Sequence, residues 1–200
     1  NTSSVSVGTI SNAYWDFGNE ESSLLSGDNN HTYEELGTYN TSLIVMDTMN
    51  LWIDNCLNEL KDVIKKVNIL LINEEEIIDL TGIDDLYKAG KYILNDGPQY
   101  VIIKKGSKGA IIVSNKDNIS IPAVPNIDVF DPTGAGDSFA GGFLGYLATN
   151  QNFDLTGAVI HGTAVASYTV SGFGIEAIEK IEFNNIKNRV KLLEELIKEN

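Results

Sequence analysis

Four runs of consecutive apolar residues, each the length of one buried strand, constrain the fold of this chain most strongly. They fall within residues 41–47, 67–72, 99–104 and 109–114, and amphipathic segments separate the first three. Continuous apolar runs are typical of strands covered on both faces, whereas a strand with one solvated face alternates. Strands alternating with helices predict an α/β fold that is Rossmann-like, with a largely parallel sheet flanked by helices.

The remaining pattern predicts where the other elements lie. Segment 54–66 places Leu57, Leu60, Val63 and Ile64 on one helical face, with Asp54 as its N-cap. Further helices are predicted over 73–82, where Gly82 ends the helix, and over 84–95, 134–150, 155–170 and 186–199. Strands are predicted over 117–123 and 126–130, and the short strands of 99–123 indicate a hairpin-rich edge.

Residues 1–40 lack this regularity. Segment 5–10 has strand composition and a short helix is allowed near 32–36, but glycines and polar residues interrupt the rest. We therefore divide the chain into a loop-rich remnant of a preceding part, 1–40, and one domain, 41–200. Because the sequence starts at Asn1 without a methionine, we expect a fragment of a longer protein.

Net charge and cysteine content limit the classes of binding partner and the cellular compartment that the sequence allows. The net charge of −14 argues against nucleic acid or an anionic membrane, since either would need a basic face. No run of about 18 apolar residues occurs, so no membrane span is expected. Cys56 is the single cysteine, which excludes an intrachain disulfide and fits the cytoplasm. A polyphosphate ligand remains compatible with this negative charge if backbone amides, a metal ion or a few lysines supply local positive potential.

The segment DPTGAGDSF, residues 131–139, carries the chemistry. It precedes a predicted helix, whose first N–H groups have no intrahelical partners and favour an anion. Small residues at Gly134, Ala135 and Gly136 let the backbone approach a phosphoryl group closely. Asp137 beside them could accept the proton of an attacking hydroxyl. The alternative is structural: a glycine-rich helix start packed on the sheet, with Asp137 as a cap.

This segment and three others resemble the ribokinase-like (PfkB) carbohydrate kinases over about residues 41–200. DPTGAGDSFAGGF resembles that family's C-terminal signature. Asn73 and Glu76 resemble its N-x-x-E motif, residues 104–109 its T-x-G-x-x-G nucleotide loop, and residues 158–174 the helix and loop over the adenine. The resemblance implies a ribokinase-like fold, and the family's N-terminal part with its lid has no counterpart in residues 1–40.

The resemblance also implies roles for individual residues. Asp137 would be the catalytic base, and the amides of Gly134, Ala135 and Gly136 the anion hole. Glu76 would act on Mg²⁺ through water, and Asp131 and Thr133 would help hold a monovalent cation such as K⁺. The implied nucleotide-binding residues are Asn73, Lys104, Gly106, Gly109 and Thr163.

Two positions depart from the family pattern. Lys104 stands where the family usually has threonine, and it could contact a phosphate or be a surface lysine. Asp47 follows a predicted strand where the family often has an acidic residue, but the residues after it are spaced differently. Its role could be substrate or metal contact, or capping.

The resulting hypothesis is an ATP- and Mg²⁺-dependent kinase that transfers the γ-phosphate to a hydroxyl of a small sugar-like molecule. The sequence is compatible with a homodimer. Two alternatives stay open: a catalytically inactive nucleotide-binding remnant or fragment, and a kinase of the same fold that acts on a nucleoside or a vitamin precursor. A third is a purely structural α/β domain.

Overall fold

The computed structural model describes residues 15–16, 22–23, 43–150 and 152–198. The predicted strand at 5–10 and the helix near 32–36 lie outside these residues. The strands are β1 (Trp15–Asp16), β2 (Ser22–Ser23), β3 (Val45–Asp47), β4 (Ile69–Asn73), β5 (Tyr100–Lys104), β6 (Ala110–Ser114) and β7 (Asn118–Ile121). The α-helices are α1 (Asn50–Asn55), α2 (Leu57–Ile64), α3 (Glu74–Thr81), α4 (Leu86–Leu94), α5 (Ala135–Thr149), α6 (Leu155–Thr169) and α7 (Phe183–Lys198).

The main sheet has five strands in the order β3-β4-β5-β6-β7. β3, β4 and β5 pair in parallel, while β6 is antiparallel to both of its neighbours. Four of the five strands therefore point the same way, which confirms the largely parallel sheet. The successive antiparallel pairs β5-β6 and β6-β7 confirm the hairpin-rich edge. β1 and β2 form a separate antiparallel pair.

Both faces of the sheet are buried, as the continuous apolar runs predict. On β4, Leu70 and Ile72 pack into the core under α1–α4, while Ile69 and Leu71 pack into the core under α5–α7. All four side chains are at most 1% exposed. Each such burial contributes about 1.5–3 kcal/mol relative to an exposed side chain, so the strands are held from both sides in a three-layer α/β/α arrangement.

Two predicted elements differ from the structure. The helix expected over 54–66 is interrupted at Cys56, whose φ of −140° is not helical. Asp54 accordingly lies inside α1 and does not cap a helix. Of the four residues expected on one buried face, Leu60 and Ile64 are buried, but Leu57 and Val63 are 37% and 47% exposed. All four residues lie in α2, after the interruption, and the side of this helix that carries Leu60 and Ile64 is the one that faces the core.

The strand expected over 126–130 is also wrong. Residues 126–130 have no strand structure. The amides of Phe130 and Asp131 both donate to the carbonyl oxygen of Val170, at 2.7 and 3.3 Å. The segment is thus attached to the end of α6 and pairs with no strand of the sheet. In the part of the chain that the structure describes, no helix is both long and apolar enough to traverse a bilayer.

Helices α5 and α6 pack almost backbone to backbone. A Cβ on Gly142 would lie 2.9 Å from the His161 carbonyl oxygen and 3.1 Å from the Gly162 Cα. A Cβ on Gly162 would lie 2.8 Å from the Phe139 carbonyl oxygen. Glycine at both positions is therefore what allows this close approach.

This packing predicts opposite outcomes for two glycines of the same helix. Gly142→Ala should destabilise the fold by about 1–3 kcal/mol because its methyl group overpacks the contact with α6. Gly145→Ala should instead be neutral or stabilise it by about 0.5–1 kcal/mol, since nothing lies within 4 Å of its Cβ position. Urea unfolding measures both. Equal losses of stability in the two variants would contradict the packing argument.

Candidate active site

The carboxyl ends of three neighbouring parallel strands carry the polar residues singled out by the sequence. Asp47 ends β3, Asn73 ends β4 and Lys104 ends β5. Asn73 lies directly opposite Lys104 in the ladder, and Asp47 lies opposite Leu71, two residues earlier on β4. In open α/β sheets, ligands bind outside the carboxyl ends of the strands. This edge is therefore the candidate site.

Lys104 and Asp47 form an ion pair across β4. The Lys104 Nζ lies 2.6 Å from the Asp47 Oδ1 and 2.8 Å from its Oδ2. The two side chains are only 15% and 26% exposed. Lys104 is therefore not the free surface lysine that the sequence left open, and Asp47 binds a side chain of the site. Its Oδ1 also accepts the Thr48 amide at 3.1 Å.

Asn73 and Glu76 form a capping box at the start of α3. The Glu76 amide donates to the Asn73 Oδ1 at 2.8 Å, and the Asn73 amide donates to the Glu76 Oε2 at 3.0 Å. The spacing N-x-x-E thus has a structural role independent of any ligand. Glu76 is only 5% exposed. Burial raises the pKa of its carboxyl above the ordinary value, against the opposing effects of the Asn73 amide and of Lys104.

The glycine-rich segment forms a tight turn that opens into α5. Gly134 adopts a left-handed conformation with φ of 77° immediately before the helix, which glycine reaches without steric cost. The Thr133 amide donates to the Asp131 Oδ1 at 2.9 Å. Hydrogen bonds from Thr133, and from the Gly174 amide, lower the pKa of the Asp131 carboxyl.

The start of α5 is accessible. Residues 134–136 are half-buried and Asp137 is exposed, so other side chains cover the segment only in part. A helix start leaves its first amides without intrahelical acceptors. The Ala135 amide, however, donates to the Pro132 carbonyl oxygen at 3.2 Å. The anion hole formed by the amides of residues 134–136 stays a prediction, with Ala135 already engaged in the turn.

The strand ends and the start of α5 meet at Gly136. A Cβ on this residue would lie 3.5 Å from the Lys104 Nζ and 4.0 Å from the Asp47 Oδ2. Lys104 also acts electrostatically on Glu76. The structure thus brings Asp47, Glu76, Lys104 and Gly136 together at one end of the sheet.

The predicted nucleotide loop follows β5 as a 3₁₀ turn, Gly106–Lys108. Gly106 and Gly109 both have positive φ, 55° and 84°. A Cβ on Gly109 would lie 2.0 Å from the Ile121 carbonyl oxygen, so only glycine fits there. Lys108 approaches Glu74 at 3.5 Å, which links the loop to the start of α3.

Thr163 lies apart from this cluster. It is 8% exposed in the middle of α6, and its expected place near a nucleotide base stays a prediction. The nearer α6 residue is Thr169, whose methyl carbon lies 3.9 Å from the Cβ position of Gly134. The Thr169 Oγ1 is buried and has no hydrogen-bond partner among the described residues.

The described residues contain no group of three or more His, Cys, Asp or Glu side chains able to hold a metal ion. Mg²⁺ in phosphoryl-transfer sites needs only one or two carboxylates, because phosphates and waters supply the other ligands. Glu76, in the first turn of α3, is a carboxylate of this kind, whereas both oxygens of Asp47 are paired with Lys104. For a monovalent cation, the carboxylate of Asp131 and the unpartnered Thr169 hydroxyl are oxygen atoms of the required kind beside the 131–134 turn.

The pairing of Asp47 with Lys104 was not predicted. The two residues are 57 positions apart, and local periodicity carries no information about such a contact. One signal was present: both residues end apolar runs that alternate with helices, and the carboxyl ends of parallel strands meet at one edge.

The comparisons with known proteins agree with this architecture. The model of the pfkB family of carbohydrate kinases matches residues 11–181. The match begins at residue 11, inside the segment 1–40 that we separated from the domain on its sequence pattern. Among curated relatives, a cytidine kinase of Thermococcus kodakarensis is 37% identical over 87 residues, 42% of this chain. A nucleoside kinase of Methanocaldococcus jannaschii is 32% identical over 117 residues, 58% of this chain.

Solved structures show the same fold. An aminoimidazole riboside kinase from Salmonella enterica, complexed with aminoimidazole riboside and an ATP analogue, aligns with a TM-score of 0.65 and 23% identity over 74% of this chain and 52% of its own. The Methanocaldococcus jannaschii nucleoside kinase, an archaeal member of the ribokinase family, aligns with a TM-score of 0.61 and 26% identity over 75% and 48%.

These relatives are longer than the region they share with this chain. The matched region covers 31% of the cytidine kinase and 37% of the nucleoside kinase. The family model nevertheless spans most of the sequence, and the ribokinase-like α/β fold expected from it is present. The chain belongs to the pfkB family of carbohydrate kinases.

Proposed function

We propose that the protein containing this chain is an ATP-dependent kinase that transfers the γ-phosphate to a hydroxyl of a sugar or sugar-like molecule. The observation that supports this most directly is the accessible start of α5, where exposed Asp137 follows Gly136 beside Lys104. Membership of a kinase family makes phosphoryl transfer the first function to test.

In the proposed reaction, Asp137 is the general base. The acceptor hydroxyl approaches the exposed carboxylate, which takes its proton as the oxygen–phosphorus bond forms. The bond between the γ-phosphorus and the oxygen of the leaving ADP breaks, and ADP carries away that oxygen. Negative charge on the transferring group faces the N-terminus of α5, whose dipole and amides favour an anion. Gly134, Gly136 and the more weakly available Ala135 would supply these amides.

The nucleotide would lie along the carboxyl ends of β4 and β5. Asn73 would be near the phosphates, Gly106 and Gly109 would shape the nucleotide pocket, and Thr163 would be near the base. The positive φ of both glycines supports this role, because it produces a tight loop that a phosphate-bearing ligand can approach.

Two cations are part of the proposal. Mg²⁺ would neutralise phosphate charge, with Glu76 acting on it through water. Asp131 and Thr133 would help hold a monovalent cation such as K⁺. Asp131 orders the turn in the present structure by accepting the Thr133 amide.

The acceptor class includes nucleosides as well as free sugars. The cytidine kinase and the nucleoside kinase among the relatives favour a nucleoside. Ribokinases from mouse and Haemophilus influenzae, 33% and 31% identical, support a free pentose. The common chemistry is a primary alcohol on a ribose ring, and the acceptor screen should be centred on it.

The full-length natural protein should be tested for ATP binding by calorimetry and for turnover with a panel of pentoses, hexoses and nucleosides. We expect a non-hydrolysable ATP analogue with Mg²⁺ to raise the melting temperature and at least one acceptor to be phosphorylated. Binding without turnover on the whole panel would favour the nucleotide-binding remnant. Neither binding nor turnover would favour a purely structural domain and would sink the proposal.

A further inference from the structure

We infer that Lys104, held in place by Asp47, stabilises the transferring phosphoryl group, and that Asp47 is the positioning residue for this lysine. The inference rests on the proposed kinase function and deepens it. The sequence motif places Lys104 in the nucleotide loop. The inference instead places its ammonium group at the end of the site where the phosphoryl group is transferred.

The position of the ammonium group carries the argument. Lys104 is the last residue of β5, but its Nζ lies 3.5 Å from the Cβ position of Gly136, at the start of α5. The side chain thus reaches from the strand end to the first turn of the helix that bears Asp137. A phosphoryl group that meets the α5 amides would meet the Lys104 ammonium at the same place.

Asp47 fixes this position. Its two carboxylate oxygens lie 2.6 and 2.8 Å from the Lys104 Nζ. Because both residues are at the ends of strands held in one sheet, their backbone positions are fixed relative to each other. An ammonium has three donors, so two contacts to Asp47 leave one N–H for a ligand.

The local charge balance explains why a cation is needed here. The chain carries a net charge of −14, and two carboxylates, Asp47 and Glu76, lie near the point where phosphate would bind. Lys108, in the loop after β5, pairs with Glu74 and is 69% exposed. The partly buried Lys104, whose Nζ lies beside Gly136, is therefore better placed than Lys108 to stabilise charge as the phosphoryl group moves, and a buried donor acts more strongly than an exposed one.

The test compares Lys104→Met, Lys104→Arg, Asp47→Asn and the Asp47→Asn/Lys104→Met double variant in the full-length protein. Lys104→Met should lower kcat by about 100-fold while changing the KM for ATP by less than about threefold, since the lost interaction forms only in the transition state. Calorimetry should show that it binds MgADP normally but loses the tighter binding of MgADP with aluminium fluoride. Lys104→Arg should still bind MgADP with aluminium fluoride more tightly than MgADP alone, but by a smaller factor than the wild-type protein.

The double variant tests the role of Asp47. Asp47→Asn should lower kcat by about tenfold alone, and by less than about twofold when Lys104 is already Met, because residues that act as one unit are not additive. Lys65→Met, which removes an exposed lysine paired with Asp62 at 2.8 Å, should leave kcat unchanged.

Three outcomes would overturn the inference. Lys104→Met could keep kcat within about twofold of wild type, or it could change only the KM for ATP. Its effect on kcat could also be fully additive with that of Asp47→Asn. An inactive wild-type protein would instead refute the proposed function, and the inference with it. The two failures are therefore distinguishable.

Discussion

Asp137→Asn is expected to reduce kcat by about 10²- to 10⁴-fold, the range for loss of a general base. Asparagine keeps the shape of the side chain but cannot accept the hydroxyl proton at a useful rate. ATP binding should change by less than about threefold, because Asp137 is exposed at the start of α5 and lies outside the predicted nucleotide loop. Steady-state kinetics and calorimetry on the full-length protein measure the two effects separately.

Asp84→Asn provides the matched control for this variant. Asp84 is an exposed carboxylate in the loop between α3 and α4, so its loss makes the same charge change without touching the site. We expect unchanged kcat. A near-normal kcat in Asp137→Asn would show that another group takes the proton, and the structural reading of Asp137 as an exposed helix-start residue would then suffice.

Gly109→Ala is expected to cost about 3–5 kcal/mol of folding stability, combining backbone strain with overpacking. Its φ of 84° with ψ of −139° is a conformation that residues with a Cβ rarely adopt. The added methyl group would also lie 2.0 Å from the Ile121 carbonyl oxygen and 2.7 Å from the Ala123 amide nitrogen. Both neighbours are backbone atoms of the strand edge and cannot move without disturbing β7.

Thermal and urea unfolding measure this loss, which amounts to about 10 °C in melting temperature for a chain of this size. Gly82→Ala is the control, because Gly82 also has a positive φ, 69°, but has nothing within 4 Å of its Cβ position. It should cost only about 1–2 kcal/mol. If the two variants lost equal stability, the close approach to Ile121 would have no energetic role.

The sequence predicts the fold wherever the structure depends on local pattern. β4, β5 and β6 are buried on both faces, and their continuous apolar runs identify them. Gly82 ends α3 in a left-handed conformation, as its place after the helical pattern predicts. Cys56 breaks the predicted helix although no glycine or proline marks the position, and the periodic apolar residues that predicted the helix all lie after it, in α2.

The site is predictable in part for the same reason. The segments around Asn73, Gly109 and Asp137 are each recognisable from short motifs, because a turn or a helix start depends on neighbouring residues. The pairing of Lys104 with Asp47 depends on strand order, which no short segment contains. The failed strand prediction at 126–130 has a similar origin, since that segment bonds to Val170 at the far end of α6.

The tight glycine contact between α5 and α6 fixes the position of the α5 N-terminus. Two helices whose main chains approach this closely at Gly142 and Gly162 cannot slide past one another without steric overlap. Asp137 and the start of α5 are therefore held in place relative to α6, and under the proposed function any rearrangement during turnover would come from the parts that approach them. Hydrogen exchange should accordingly be slowest at the α5–α6 crossing and unaffected there by nucleotide.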